Sequence, residues 1–158
     1  MERHDIQQLF MQHYAGMLRV ARTILYDEQE SKDVVSDIFA GLLHGRTVLM
    51  PGTAEHYLLT SVRNQCFKRI RHEGVRLRME ADATTEQVFD SDTEDERLTD
   101  IDEFVASHLS VQEQRIFHLR FNDGCRYEEI AAAEGISRVA VWKHLSHALN
   151  LVRNHFNK

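Results

Sequence analysis

The chain is poor in the residues that make turns and covalent links. Its 158 residues include one Pro and seven Gly, whereas sheets need turn residues at short intervals, so an all-helical chain is favoured. The two cysteines, Cys66 and Cys125, lie far apart, and neither has a Cys or His at ligand spacing. That spacing argues against a zinc site and against a disulfide framework.

Long apolar runs are also missing. None approaches the ~20 residues that a membrane-spanning helix needs, and the segment from Met1 to Gln8 is polar and charged, without the apolar core of a signal peptide. We therefore expect a soluble, cytoplasmic protein with no membrane insertion.

The net charge of −6 is unevenly distributed along the chain. The stretch from Glu80 to Glu103 holds 11 of the 25 acidic residues and a single basic one, Arg97, while the stretches on either side are mildly basic. Residues 80–96 show almost no apolar periodicity, and such a segment cannot bury enough surface to offset the entropy of ordering. We predict two small helical domains, 1–78 and 97–158, joined by a flexible acidic linker over 79–96.

The N-terminal domain is predicted to contain three helices. Apolar residues recur at helical spacing from Ile6 to Leu25 and again from Val34 to Leu43. Asp27 and Glu30, ahead of the second stripe, have the spacing of a capping box. After a break rich in turn residues, a third helix is predicted from about Thr53 to His72, with its cations mostly off the apolar stripe.

Four helices are predicted in the C-terminal domain. The apolar residues from Leu98 to Leu109 mark the first, and Ser110 with Glu113 forms a predicted capping box at the start of the second. The third is short, from Tyr127 to Glu134, and Ser137 is the predicted cap of the fourth.

The last two of these helices have the pattern of a helix-turn-helix. This motif joins its helices by a turn of three or four residues that often contains Gly, and Gly135 fits because it permits the positive φ that ends a helix. The small Ala131 allows close packing, and Val141 belongs to the core stripe. The second helix of such a motif enters the major groove, where Arg and Lys bind phosphates or guanine edges. The residues predicted to bind DNA are Arg138, Val139, Trp142, Lys143, Ser146 and His147, with core packing as the alternative for Trp142.

Nearly the whole chain resembles a known family. Leu109 to Phe117, Arg120 to Gly124, Tyr127 to Ala131 and Gly135 to Leu145 are similar to the C-terminal DNA-binding domain of extracytoplasmic-function sigma factors of bacterial RNA polymerase. Ser31 to Phe39, Tyr57 to Asn64 and Lys68 to Arg71 are similar to the N-terminal domain of that family, in the same order.

The resemblance implies a promoter-specificity subunit that is not an enzyme and needs no cofactor. Its implied partners are core RNA polymerase, promoter DNA and an anti-sigma factor. The second helix would dock on the polymerase through Asp33, Asp37 and Phe39. The third helix and the preceding loop, 46–56, would bind the minus-ten element and a flipped base, and the C-terminal helix-turn-helix would read the minus-thirty-five element. The minus-ten residues implied are Tyr57, Arg63, Asn64, Lys68, Arg69 and Arg71.

Two other functions compete with this interpretation. A stand-alone helix-turn-helix regulator with an N-terminal interaction domain would explain the C-terminal half, but it would not need the basic run from Arg63 to Arg71. A metal-dependent hydrolase could use some of the ten histidines, but no H-E-x-x-H spacing occurs. His144 and His147 are three residues apart, and the sequence shows no carboxylate to accompany them.

Overall fold

A computed structural model describes residues 3–45, 49, 52–82 and 101–156, with the backbone alone described for 72–82 and 156. Within these ranges the chain forms seven helices and no strand, so the predicted all-α class is confirmed. None of these helices is long and apolar enough to cross a membrane. The helices are α1 Arg3–Leu25, α2 Glu28–Leu43, α3 Ala54–Asp82, α4 101–108, α5 Val111–Phe121, α6 Tyr127–Glu134 and α7 Arg138–Phe156.

The N-terminal half is a three-helix unit in which α1 packs against both α2 and α3. Asp27 is the N-cap of α2, and its carboxylate accepts a hydrogen bond from the backbone N–H of Glu30 at 2.8 Å, which is one of the two bonds of the predicted capping box. The buried apolar side chains of α1, such as Met17 and Ile24, meet those of the other two helices, such as Val35 and Leu58. The amphipathic stripes therefore form this core.

The third helix is longer than predicted, since it ends at Asp82 and not near His72. Residues after His72 include Leu77, Met79 and other good helix formers, and their propensity outweighs the cost of Gly74. The first residues of the predicted linker thus belong to α3. The rest of that linker, 83–96, lies outside the described residues.

The C-terminal half contains α4 to α7, and α6 has the predicted bounds. Ser110 caps α5, and its hydroxyl accepts from the backbone N–H of Glu113 at 3.1 Å. The capping-box prediction was half wrong, because the Glu113 carboxylate does not return to the cap. It faces α7 instead, where it bonds two histidines.

The two halves pack against each other, and their buried side chains form one continuous cluster. Gly124, in the loop after α5, approaches α3 so closely that a Cβ there would lie 3.3 Å from Leu59 Cδ1. Its φ of +68° also favours glycine. The close contact explains why this loop carries a residue without a side chain.

Candidate nucleic-acid interface

The turn between α6 and α7 has the geometry of a helix-turn-helix. Gly135 adopts a left-handed φ of +67°, and its N–H bonds the carbonyl of Ala131 at the end of α6. The hydroxyl of Ser137 accepts from the backbone N–H of Ala140 at 3.1 Å and caps α7. Ile130 and Val141 are fully buried on either side of the turn. The roles predicted for Gly135, Ser137 and Val141 are thus confirmed.

The first turns of α7 present an open face. Val139 is 61% exposed and Trp142 is 51% exposed, so Trp142 is not a core residue. Lys143 is exposed as well. Arg138 lies 3.4 Å from Glu128 of α6, but both side chains are largely exposed, so this pair holds the arginine only weakly. Ser146 and His147 continue the face toward the middle of the helix.

A carboxylate lies under this face that the sequence did not reveal. Glu113 Oε2 is 2.9 Å from Nδ1 of His147 and 3.2 Å from Nδ1 of His144. The statement that no carboxylate accompanies these histidines was therefore wrong. The partner comes from α5, about 30 residues earlier, where its spacing suggested only a helix cap. Among the described residues there is no group of three or more ligands arranged to hold a metal ion.

The cations of α3 are arranged differently from those of α7. Arg63 was expected on the surface, but its side chain is only 4% exposed. Its guanidinium donates to Asp102 Oδ1 of α4 at 3.1 Å and to Asn122 Oδ1, just after α5, at 3.3 Å. Arg63 is buried because the C-terminal half covers it, a long-range contact that helical periodicity does not register.

The other residues implied for minus-ten binding vary in accessibility. Tyr57 is 37% exposed at the start of α3, and Arg71 is buried, against expectation. Asn64 and Lys68 are half-buried. Arg69 lies 3.3 Å from Asp37 of α2. Four of the six residues thus have at least part of their surface open, while Arg63 and Arg71 do not.

A second arginine, Arg120 of α5, binds the two halves together from within. Its Nη2 and Nε donate to the hydroxyl of Thr23 in α1 at 2.8 and 3.0 Å, and its Nη1 donates to the carbonyl of Cys125 at 2.8 Å. The centroid of the Tyr127 ring lies 4.5 Å from the guanidinium carbon. Burial lowers the pKa of Arg120, and Tyr127 opposes that shift. Among the described residues, the partners of this guanidinium are neutral oxygens and the face of an aromatic ring, and none is a carboxylate.

Further bonds extend the same interface. Arg19 of α1 donates to the carbonyl of Gly124 at 3.3 Å. Arg153 of α7 donates to the carbonyl of Ile24 and lies over the ring of Tyr26. In the described residues the polar contacts between the halves are therefore made chiefly by arginines that donate to carbonyl and side-chain oxygens, beside the shared apolar cluster.

The surface expected to meet the polymerase lies on α2. Asp33 and Asp37 are exposed there. Phe39 is only 4% exposed, because it packs edge-on against Phe10 of α1. Phe39 nevertheless lines an apolar groove of about 420 Å³ between α1 and α2, and Leu43, 51% exposed, lines it too. The accessible apolar groups of this surface are thus Phe10 and Leu43, more than Phe39.

Both halves match the models of one family. Residues 9–76 match the model described as Sigma-70 region 2, and residues 105–152 match the one described as Sigma-70, region 4. No curated protein and no solved structure matches the chain at a significant level. The two regions in this order are the architecture of the extracytoplasmic-function group, and the predicted resemblance is confirmed.

The chain belongs to the sigma-70 family. Members of the family are transcription regulators and not enzymes, and they recognise promoters and take part in transcription initiation. Their domains act on core RNA polymerase and on promoter DNA. The face of α7 and the cations of α3 lie within the matched regions.

Proposed function

We propose that this chain binds core RNA polymerase directly and reads two promoter elements, the minus-ten element with α3 and the minus-thirty-five element with α7. The observation that carries the proposal is the solvent-exposed face at the start of α7. This helix is the second helix of a helix-turn-helix, and its turn contains Gly135 with a left-handed φ. The N-terminal match to region 2 weakens the alternative of a stand-alone regulator, because such a regulator has no use for that region. The proposed role implies a cytoplasmic location, and by resemblance we expect an anti-sigma partner.

The domain division is part of the proposal. We assign core and minus-ten binding to 1–78 and minus-thirty-five binding to 97–158. Arg138, Val139, Trp142, Lys143, Ser146 and His147 would contact the minus-thirty-five duplex. With the halves packed as in this structure, the minus-ten element would be contacted by Tyr57, Asn64, Lys68 and Arg69. It would also be contacted by Arg63 and Arg71 once their side chains become exposed.

A cavity between α2 and α3 supports the minus-ten assignment. Its volume is about 350 Å³, and Tyr57, Ser61, Gln65 and Asp37 contribute to its lining. An unstacked base is recognised by an aromatic surface together with hydrogen-bonding groups, and this lining supplies both. The cavity adjoins the start of α3. Residues 46–48, 50 and 51 of the loop that the resemblance implies for base capture lie outside the described residues.

Docking on the polymerase is supported by the chemistry of α2. This helix carries the exposed carboxylates Asp33 and Asp37, and its Phe39 and Leu43 line the apolar groove that it forms with α1. Specific protein interfaces combine an apolar core with polar groups around it. We infer that this surface is the polymerase-binding surface.

The test is a binding assay with bacterial core polymerase followed by run-off transcription on a library of genomic fragments. We expect co-purification with core and transcripts that start at a small set of sites. Lys143→Ala should leave core binding intact and reduce the transcripts. Leu43→Asp should abolish core binding, and Val111→Asp, at another exposed apolar residue, is its matched control. A chain that fails to bind core would overturn the proposal.

A further inference from the structure

The Glu113, His144 and His147 side chains form a cluster that the proposed function does not explain. Both histidines lie on α7, and the carboxylate that bonds them belongs to α5. The side chain of His147 is 59% exposed and that of His144 is 34% exposed, whereas that of Glu113 is 11% exposed. The cluster thus opens to solvent through its two rings, on the helix that carries the DNA-reading face.

The geometry defines which ring nitrogen each histidine presents. An ionised carboxylate can only accept hydrogen bonds, so the Nδ1 atom that meets it must carry a proton. Each neutral ring is then held as its Nδ1–H tautomer, and its Nε2 atom is left free of Glu113. Because both rings share Oε2, one carboxylate orients both of them.

The surrounding charges do not compensate Glu113. Among the described residues no Lys or Arg side chain contacts its carboxylate. Charged and titratable groups of the neighbouring elements have other partners. Among the arginines, Arg115 pairs with Glu134, Arg138 with Glu128, Arg120 with Thr23 and Arg63 with Asp102. The Glu129 carboxylate accepts from the backbone N–H of Arg126, and the rings of His118 and His108 contact Asn122 and the Phe104 carbonyl. Lys143 is the exposed cation next to the cluster in sequence. Among the described residues, the titratable side chains in direct contact with the Glu113 carboxylate are therefore the two histidines.

We propose that Glu113 is a positioning residue for duplex DNA: it orients His144 and His147 so that their Nε2 atoms meet the phosphate backbone, and proton uptake by these histidines strengthens binding. This inference rests on the proposed contact of α7 with the minus-thirty-five duplex. With both rings neutral the cluster carries one negative charge, and with both protonated it carries one positive charge. Histidine is the residue type whose side chain changes charge between about pH 5 and 8.

The positioning step is tested without DNA. Imidazole nitrogen NMR of the full chain at about pH 8 should show His147 mainly as the Nδ1–H tautomer. Glu113→Gln retains the shape of the side chain but removes the charge, and it should shift His147 toward the Nε2–H tautomer. A wild-type His147 already in the Nε2–H form would overturn the inference. Circular dichroism of the variant separates this shift from unfolding.

The DNA step is tested by fluorescence anisotropy of the full chain with a short random-sequence duplex. From about pH 8 to pH 6 we expect affinity to rise roughly tenfold, about threefold for each added charge, as for exposed ion pairs. The salt dependence should steepen by roughly 0.9 for each charge that meets a phosphate. The double variant His144→Gln/His147→Gln should lose most of this gain, and His4→Gln, on α1, should retain it.

The outcomes separate this inference from the proposed function. If Lys143→Ala weakens binding while the double histidine variant retains the wild-type pH response, the histidine role is wrong and α7 still binds DNA. If neither Lys143→Ala nor Trp142→Ala changes binding, the assignment of α7 to DNA fails, and this inference fails with it.

Discussion

The recognition helix α7 and the third helix α3 both carry cations expected at promoter DNA, but the two helices hold them differently. On α7, Lys143 is exposed, and Arg138 forms an exposed ion pair with Glu128. On α3, Arg63 is covered by the C-terminal half and bonded to Asp102 and Asn122. The face proposed for the minus-thirty-five element is thus accessible in the free chain, whereas Arg63, proposed for the minus-ten element, becomes accessible only if the halves separate.

The largest effect is expected from Arg120→Ala, which removes the central bond between the halves. Thr23 and the Cys125 carbonyl lose their donor, and a cavity is left in the buried cluster. We expect the free energy of unfolding to fall by about 2–4 kcal/mol, measured by urea denaturation. Arg22→Ala, which removes an exposed pair with Glu28 within the N-terminal half, is the control and should change stability little. Equal losses in the two variants would contradict the role of Arg120.

Sequence patterns predicted the elements within each half well. Gly135, Ser137 and the bounds of α6 follow from local turn and cap chemistry, which acts over a few residues. The contacts between the halves could not be predicted in this way, because Arg120 meets Thr23 across 97 positions of the chain. A polar residue off the apolar stripe is normally exposed, and only the docking of another domain buries Arg63.

Two glycines offer a matched test of the contact between the halves. Gly124 and Gly135 have nearly equal positive φ values, +68° and +67°, but only Gly124 would bring a Cβ against Leu59. Gly135→Ala should cost about 1–2 kcal/mol from backbone strain alone. Gly124→Ala should cost more, by about 1 kcal/mol of crowding, in the same urea assay. Equal costs would mean that the loop does not press on α3 in solution.

Cys66, buried in α3, tests the N-terminal core separately. Burial raises the pKa of its thiol from 9.0 to about 12. The folded state therefore retains a proton that the unfolded state releases above about pH 9, so this contribution to stability is lost as the pH rises from there toward 12. At about pH 10 the loss should be roughly 1 kcal/mol, measured as the difference in pH dependence between the wild type and Cys66→Ala. Identical curves would show that Cys66 is not buried.

The smallest effect is expected at the Arg63 ion pair. Asp102 is largely exposed. Asp102→Ala should therefore lower the free energy of separating the halves by less than about 1 kcal/mol, which raises the separated fraction by up to about fivefold. Cys125, half-buried at the interface, should then react faster with a thiol reagent by up to that factor. Cys66 should stay unreactive in both proteins. A labelling rate of Cys125 that does not change would show that this pair does not hold the halves together.

The most direct measurement is the distance between the halves with and without core polymerase. Dyes attached through Gln12→Cys on α1 and Asn150→Cys on α7, both exposed positions, in a Cys125→Ser background, would report it by energy transfer. We predict high transfer in the free chain and a clear decrease when core polymerase is bound. Low transfer in the free chain, or unchanged transfer in a complex verified by co-sedimentation, would contradict the account.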